Sequence, residues 1–338
     1  MTKVHLDTDL GGDPDDVCAL ALLLKWPDVA ITGITTVSDE NGKRAGYTKY
    51  VLQLAGKESV SVKAGADVTG AYYRYKPRFP KEENFWPEKI SPSPNPVDEA
   101  LELLKSSIEQ RATIIAIGPF TNLALLDKKY PGILQQATVY VMGGYAYPIR
   151  EGYPQWTNDN DYNIQLDIAS AKHVFANSSP TVIPLTVTVE TALRRAYLPK
   201  LRQAGKLGEL IAKQAEAEND VSYNEERLGK VYQGLPADIL NFQHDTLACA
   251  VALGWDGVTI EEVPLRFEIK NGFLHEVIDV HGRKTRIVTK IDAERFNELW
   301  LNTVTRESTL PRFSIGMVES PAFSYIILTQ FALEFGKS

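Results

Sequence analysis

Short apolar runs alternate with longer segments of helical spacing along most of the chain. Apolar runs bounded by turn residues predict buried strands, and apolar positions that recur every three or four residues predict helices. Because the two alternate, we expect an α/β fold: a single doubly wound domain with a mostly parallel central sheet. The predicted main strands are residues 4–6, 29–37, 113–117, 138–142 and 181–185.

The helical pattern is clearest in six segments, and a further stretch at residues 198–253 is predicted to be mostly helical. A β-hairpin is expected around the turn Lys270-Asn271-Gly272, because Asn-Gly favours tight hairpin turns. The six predicted helices are residues 17–24, 43–55, 96–109, 123–126, 168–175 and 292–304.

Two long segments, residues 68–96 and 145–160, show no periodic pattern and are rich in aromatic residues. Loops of this length are usually functional. The aromatic side chains of the first loop, with Trp86 among them, could form a lid or a wall for an aromatic ligand, or could pack beneath the loop. The second loop carries Tyr147, Tyr153 and Trp156.

Aspartates crowd the end of the first predicted strand. Asp7 and Asp9 end the strand, Gly11-Gly12 permits a turn, and Pro14 starts an apolar helix whose first turn holds Asp15 and Asp16. Two like charges about 4 Å apart repel by roughly 4 kcal/mol at an effective dielectric near 20. We therefore expect a divalent cation here, and hard oxygen ligands favour Ca²⁺ or Mg²⁺ over zinc.

Structural roles for some of these aspartates stay open. Asp13 precedes a proline at the predicted first helical position and could be a helix N-cap. Asp15 and Asp16 could complement the helix dipole. No capping role accounts for Asp7 and Asp9 together, because glycine follows them rather than a helix.

Composition excludes several classes of protein. With 338 residues, 44% of them hydrophobic, the chain can build one large core. A net charge of −7 without a basic run argues against a nucleic-acid partner. Cys18 and Cys249 lie in apolar helical patterns and are expected to be buried thiols rather than a disulfide. The absence of a signal pattern or a long apolar run predicts a cytoplasmic protein without a membrane partner.

Polar residues at the predicted strand ends define a candidate site: Asp7, Asp9, Asp15, Asp16, Asp39, Thr121, Asn122, Asn163, His244 and Asp245. Five sequence blocks between residues 3 and 305 carry these residues, in the order of the inosine–uridine preferring nucleoside hydrolases. The chain resembles this family of calcium-dependent nucleoside N-ribohydrolases. The blocks are Asp7-Thr8-Asp9 with Asp15-Asp16, Gly118-Pro119-Phe120-Thr121-Asn122, Val141-Met142-Gly143-Gly144, Asp161-Tyr162-Asn163 and His244-Asp245.

The resemblance implies a nucleoside hydrolase fold with a Rossmann-like core and a Ca²⁺-dependent hydrolysis of ribonucleosides to free base and ribose. Asp9 matches a metal ligand that also acts as general base on the Ca²⁺-bound water. The other implied metal ligands are Asp16, the backbone carbonyl of Thr121, and Asp245. Residues implied to contact substrate are Asp15, Asp39, Asp161 and Asn163, with Glu40 and Asn41 as alternatives to Asp39.

Protonation of the departing base is expected from His244, since imidazole titrates near neutral pH. Tyr232 could relay a proton to His244 or could pack in the core, and Trp86 is a candidate to contact the base. The resemblance also implies a role in purine or pyrimidine salvage and a homodimer or homotetramer. We expect the hydrolase domain at residues 1–307 and a C-terminal extension at residues 308–338 that matches no family motif.

The sequence departs from the family pattern in two places, one of which leaves the role of Asp13 open and the other the base preference. The opening motif is two residues longer than the commonest form, and the loop after Ala64 has aromatics where many relatives carry His-Gly. Two other functions also remain open. A haloacid-dehalogenase-type Mg²⁺ phosphatase would share the opening Asp-x-Asp, and a non-catalytic homologue could bind Ca²⁺ and nucleoside without turnover.

Overall fold

The computed structural model describes residues 1–67 and 82–306. In the first half of the chain the elements are β1 (Thr2–Thr8), α1 (Asp15–Lys25), β2 (Val29–Thr36), α2 (Lys43–Leu54), β3 (Val62–Ala64), α3 (Glu82–Phe85), α4 (Val97–Glu109), β4 (Thr113–Ala116), α5 (Thr121–Lys129) and β5 (Thr138–Met142). The later elements are α6 (Tyr162–Leu166), α7 (Ile168–Asn177), β6 (Thr181–Ile183), α8 (Leu185–Thr188), β7 (Leu193–Arg194), α9 (Leu198–Gln203), α10 (Lys206–Ser222), β8 (Ile239–Asn241), α11 (His244–Ala252), β9 (Val258–Lys270), β10 (Phe273–Ile278), β11 (Arg283–Ile291) and α12 (Ala293–Val304).

One large sheet organises these elements, in the strand order β10-β9-β11-β6-β5-β4-β1-β2-β3. From β3 to β11 every pair of neighbours is parallel, whereas β9 is antiparallel to both β11 and β10. The predicted α/β fold with a mostly parallel sheet is thus confirmed. At the centre, Asp7 of β1 is in register with Thr35 of β2 and Ala116 of β4, so the carboxyl ends of these three strands meet at one edge.

The core lies on both faces of the sheet. Along β4, Ile114 and Ala116 belong to one apolar cluster and Ile115 belongs to the other, as expected for side chains that alternate across a strand. Cys18 and Cys249 are buried free thiols, as predicted. Within the described ranges no helix is long and apolar enough to cross a membrane.

Several element boundaries differ from the expectations for local reasons. The strand expected at residues 181–185 ends at Ile183, because Pro184 leads into the short helix α8. Helix α5 is longer than the expected 123–126 and runs to Lys129, where Lys128 and Lys129 favour the negative end of the helix dipole. The 198–253 stretch also contains β8, which pairs with β7 in a two-stranded sheet that the patterns did not predict.

The predicted hairpin is confirmed, with β9 and β10 meeting at Lys270 and Phe273. The first long loop contains the short helix α3, and residues 68–81 of that loop lie outside the described residues. The expected extension at residues 308–338 lies outside them as well.

Candidate active site

Asp7 lies at the end of β1, where its side chain is buried beneath the candidate site. Its side chain is fully buried, and Oδ1 accepts hydrogen bonds from the Thr35 hydroxyl at 2.5 Å and from Asn122 Nδ2 at 2.7 Å. Burial raises the pKa of Asp7 to about 7 against these two hydrogen bonds. Asp7 therefore links β1, β2 and the first turn of α5 rather than facing solvent.

Asp9 lies just beyond β1 and is half-buried. Gly118 is its closest support: a Cβ there would lie 3.0 Å from both the backbone nitrogen and Oδ1 of Asp9, and 2.6 Å from Cγ1 of Val37. The buried Arg44 guanidinium donates to the backbone carbonyls of Asp9 and Ser38. The loop that carries Asp9 is thus held by a glycine contact on one side and a cation on the other.

The amino ends of α1 and α11 meet through Asp15. Its Oδ2 accepts from the backbone N–H of Asp245 at 3.0 Å, and its Oδ1 accepts from the Thr246 hydroxyl at 3.1 Å. Asp13 accepts from the backbone N–H of Asp15 at 2.9 Å and so supports the turn into α1. Because Asp15 bonds the first turn of α11, it brings Asp245 to the carboxylates of the opening motif.

Asp16 and Asp245 complete the carboxylate cluster. Burial, followed by the charge of Asp9, raises the pKa of Asp16 well above its ordinary value, and the Thr8 hydroxyl donates to its Oδ1. Burial, followed by the charges of Asp15 and Asp16, likewise raises the pKa of Asp245. Together with the hydrogen bond from the Asp245 N–H to Asp15, these mutual effects place the carboxyl groups of Asp9, Asp16 and Asp245 near one another.

The donor set of this cluster suits a hard divalent cation. Asp9, Asp16 and Asp245 offer only carboxylate oxygens, and the charges of these groups oppose one another. Within residues 1–67 and 82–306, no three His, Cys, Asp or Glu side chains form a group with the arrangement of metal ligands. The carboxylate chemistry of Asp9, Asp16 and Asp245 suits Ca²⁺ or Mg²⁺, but their side chains are not arranged as ligands here, and Asp15 and Asp16 accept from protein donors instead.

Thr121, Asn163 and Asp161 follow β4 and β5 in the chain, and their side chains make hydrogen bonds within this region. The Thr121 hydroxyl donates to Asp167 Oδ2 at 2.7 Å, which fixes the first residue of α5. Asn163 Nδ2 donates to the carbonyls of Ile117 and Met142, each at 3.1 Å, and so spans the ends of both strands. Asp161 accepts from the backbone N–H groups of Gly144 and Ile164, and burial raises its pKa to about 6.

His244 opens α11 beside an aromatic wall. Its ring lies 5.1 Å from the ring of Phe242 and 6.3 Å from that of Trp156, measured between centroids. Nδ1 is 2.7 Å from the Thr188 hydroxyl, and burial lowers the pKa of His244 to about 3. The half-buried position of the ring thus disfavours the protonated imidazole that the sequence predicts near neutral pH.

Three predicted substrate contacts have other partners in the structure. Both oxygens of Asp39 accept bonds, from the backbone N–H groups of Arg44 and Ala45 and from the Thr36 hydroxyl. The Trp86 ring is buried and stacks on Tyr47 at 4.4 Å between centroids. Tyr232 is half-buried and packs against the core. Their substrate roles stay predictions.

Sequence reasoning missed several residues that shape the site. Arg44 and Thr188 contact Asp9 and His244, and Glu276, a buried carboxyl on β10, faces the region of Asp161. Arg44 alone left a local signal, because it closely follows the polar end of β2. Thr188 and Glu276 come from elements distant in sequence, so only the fold reveals them.

Comparison with known proteins gives relatives over most of the chain. A non-specific ribonucleoside hydrolase of Salmonella agona is 26% identical over 318 residues, which are 89% of this chain and 96% of that protein. An uncharacterized protein of Schizosaccharomyces pombe is 29% identical over 197 residues, 55% of this chain and 62% of that protein, so the chain spans less than two thirds of this relative.

The solved structure of a plant nucleoside hydrolase matches with a TM-score of 0.73 at 19% identity, covering 90% of this chain and 99% of that one. At this identity the likeness shows a shared fold. The family model of the inosine-uridine preferring nucleoside hydrolases matches residues 4–298. Because this match spans most of the chain, the protein belongs to that family, as its five sequence blocks implied.

Proposed function

We propose that the chain hydrolyses the N-glycosidic bond of ribonucleosides to free base and ribose at the carboxylate cluster. The observation that carries this proposal is the proximity of Asp9, Asp16 and Asp245, which come from the turn after β1 and from the first turns of α1 and α11. Hydrolysis of this bond needs an activated water and stabilisation of a sugar ring that becomes positively charged. A cluster of carboxylates serves both needs.

Asp9 is the general base in this proposal, and it takes a proton from the attacking water. It is suited to this role because it is half-buried and less enclosed than the fully buried Asp7. Asn163 is placed to contact the ribose, since the two carbonyls of β4 and β5 hold its amide nitrogen and fix its orientation. Asp15, Asp39 and Asp161 are proposed to contact ribose hydroxyls near the helix starts that they cap.

The family is metal-dependent, and we propose calcium as the ion. Asp9, Asp16, Asp245 and the carbonyl of Thr121 would hold it, as the donor chemistry allows. When bound, such an ion lowers the pKa of water and helps to fix a sugar diol. Relief of the repulsion among these carboxylates is the physical reason to expect tight binding.

His244 is proposed to protonate the departing base, because it lies beside the Trp156 and Phe242 rings that would flank an aromatic base. The Thr188 hydroxyl holds Nδ1 and leaves Nε2 for the substrate. Tyr232 as a relay and Trp86 as a base contact remain weaker proposals, given the packing of both rings against core residues.

The direct test is incubation of the purified protein with a panel of ribonucleosides and Ca²⁺, with released ribose as the readout. We expect ribose from at least one nucleoside. Family membership does not favour the phosphatase alternative, and phosphate release from common phosphomonoesters without any ribose release would reverse that judgement. Nucleoside binding without turnover would identify a non-catalytic homologue.

Assembly and location are part of the proposal as well. We propose a homodimer or homotetramer that acts in the cytoplasm on salvaged nucleosides. Light scattering coupled to size exclusion measures the assembly, and a mass equal to one chain of 37.6 kDa would contradict it.

A further inference from the structure

Two carboxyl groups hold the 145–160 loop at its start and at its end. Asp161 accepts from the backbone N–H of Gly144, just before the loop. Glu276, from β10, accepts from the backbone N–H of Tyr145 at 3.1 Å and from Asn158 Nδ2 at 2.7 Å, both with Oε2. One oxygen of Glu276 therefore joins the first residue of the loop to a residue near its end.

Glu276 is 8% exposed and Asn158 is 7% exposed, so these hydrogen bonds are shielded from water. The second oxygen, Oε1, is buried and has no hydrogen-bond partner among the described residues. Gly144, with φ of +103°, brings the loop start against this carboxyl: a Cβ there would lie 4.0 Å from Oε1 and 3.2 Å from Cγ1 of Val182. A buried acid with a spare oxygen is costly to keep unless it has a specific task.

A second contact joins the same hairpin to the substrate side of the site. Gln165 of α6 is fully buried, and its amide donates to the Leu274 carbonyl at 2.8 Å while its oxygen accepts from the Leu274 N–H at 3.0 Å. The amide takes the place of a neighbouring strand along the outer edge of β10. Gln165 lies two residues after Asn163, so β10 also steadies the segment proposed to bind ribose.

We propose that Glu276 is a positioning residue for nucleoside binding, acting with Gln165 to fix the 145–160 loop and α6 against the β9–β10 hairpin. This inference rests on the proposed function. The loop carries Trp156, whose ring faces His244, and its far end leads into Asp161 and α6. Glu276 touches no proposed reacting atom, so its effect is expected on substrate affinity and base discrimination rather than on the bond-breaking step.

The test compares Glu276→Ala, Glu276→Gln and Asn158→Ala with the wild type. Glu276→Ala removes the acceptor for both loop donors, and we expect KM for inosine and uridine to rise about tenfold, as when buried donors lose their acceptor. We expect kcat to stay within about threefold, because Asp9 and His244 are held by other elements. Asn158→Ala should raise KM in the same direction by a smaller factor.

Glu276→Gln should restore most of the affinity. Its amide oxygen can still accept from Tyr145 and Asn158, and its NH₂ removes the charge that opposes Asp161. The matched control is Glu268→Ala on β9, in register with His275 of β10, where the carboxyl pairs with Arg266 at the surface. This control should leave KM unchanged.

Hydrogen–deuterium exchange of residues 145–166 supplies a readout that needs no turnover. Glu276→Ala should exchange faster there, and Glu276→Gln and Glu268→Ala should match the wild type. If no ribonucleoside is hydrolysed by the wild type, the proposed function fails, while exchange and inosine-dependent protection of the loop still decide the role of Glu276. Unchanged exchange and KM in Glu276→Ala, or a fall in thermal stability with KM unchanged, would overturn the proposal.

Discussion

The parallel and antiparallel parts of the sheet differ in which functional residues they position. Residues proposed to bind metal and ribose follow strands β1, β2, β4 and β5 in the chain, whereas β9 and β10 carry no such residue and hold the neighbouring loop through Glu276. Parallel strands bring many carboxyl ends to one edge, so chemistry concentrates there. The antiparallel hairpin instead offers a free strand edge, and Gln165 occupies part of it.

This difference predicts that substitutions in the two parts of the sheet have different effects on activity. Changes at the parallel strand ends should remove catalysis from a folded protein. Substitutions in the hairpin should either change substrate binding or leave activity unchanged. The following substitutions test this division, beginning with the largest expected effect.

Removal of a carboxylate from the cluster should have the largest effect. We expect Asp9→Ala and Asp16→Ala to lower the rate of ribose release by roughly 10⁴-fold or more, because each takes away a charged group that acts in the transition state. Chelation with EGTA should do the same, and added Ca²⁺ should restore the rate. Circular dichroism should show a retained fold.

Asp279→Ala is the matched control in the hairpin, where Asp279 pairs with Arg266. It should keep the wild-type rate. Full activity of the chelated enzyme would contradict the calcium proposal, and loss of activity in Asp279→Ala would contradict the division between the two parts.

Substitution of His244 should separate leaving-group protonation from water activation. We expect His244→Ala to slow hydrolysis of inosine by roughly 10² to 10⁴, the range of a positioned acid. Hydrolysis of p-nitrophenyl riboside should fall far less, because its leaving group needs no proton. Asp9→Ala should damage both substrates alike, and equal losses for His244→Ala would show that its role is structural.

Local signals explain which parts of the site were predictable. Asp9 and Asp16 stand at a strand end followed by a glycine turn and a helix start, so one short window of sequence located them. Asp245 was grouped with them as a polar residue at a predicted strand end, but its role as a metal ligand came only from the family resemblance, because its approach to α1 depends on a hydrogen bond across 230 residues of sequence. Thr188, which contacts His244, gave no local signal.

The elements of the fold were likewise predictable where the signal is local, and not where it depends on residues distant in sequence. Strands with continuous apolar runs, such as Thr138–Met142, were predicted to the residue, whereas the pairing of β7 with β8 was not. Two-residue and three-residue strands leave no periodicity. The role of Glu276 depends on hairpin register and on a loop more than 100 residues away, so sequence patterns could not reveal it.

Crowding at Gly118 should give an intermediate effect. We expect Gly118→Ala to destabilise the protein by about 1–3 kcal/mol, the usual cost of overpacking, since the added methyl meets Val37 and Asp9. Urea unfolding measures the stability, and ribose release should fall as Asp9 shifts. Gly12→Ala is the control, because a Cβ at Gly12 meets nothing within 4 Å. Equal stability of both variants would contradict the close packing around Asp9.

The effect expected to be smallest at neutral pH concerns His5, beneath the parallel strand ends. The ring is fully buried, with Nδ1 2.8 Å from the Ser107 hydroxyl and Nε2 3.0 Å from that of Thr35. Burial lowers the pKa of His5 from 6.5 to about 3. The unfolded chain therefore binds a proton between these values that the folded chain does not, and stability falls as the pH falls through this window.

The comparison of the wild type with His5→Gln isolates this contribution. The difference in free energy of unfolding should shift against the wild type by about 1.4 kcal/mol for each pH unit below 6.5, because one proton separates the two states. The matched control is His281→Gln in the antiparallel part, where the ring is exposed. A flat difference for His5→Gln would mean that the buried ring is protonated in the fold, and the hydroxyls of Ser107 and Thr35 would then have to accept from both nitrogens.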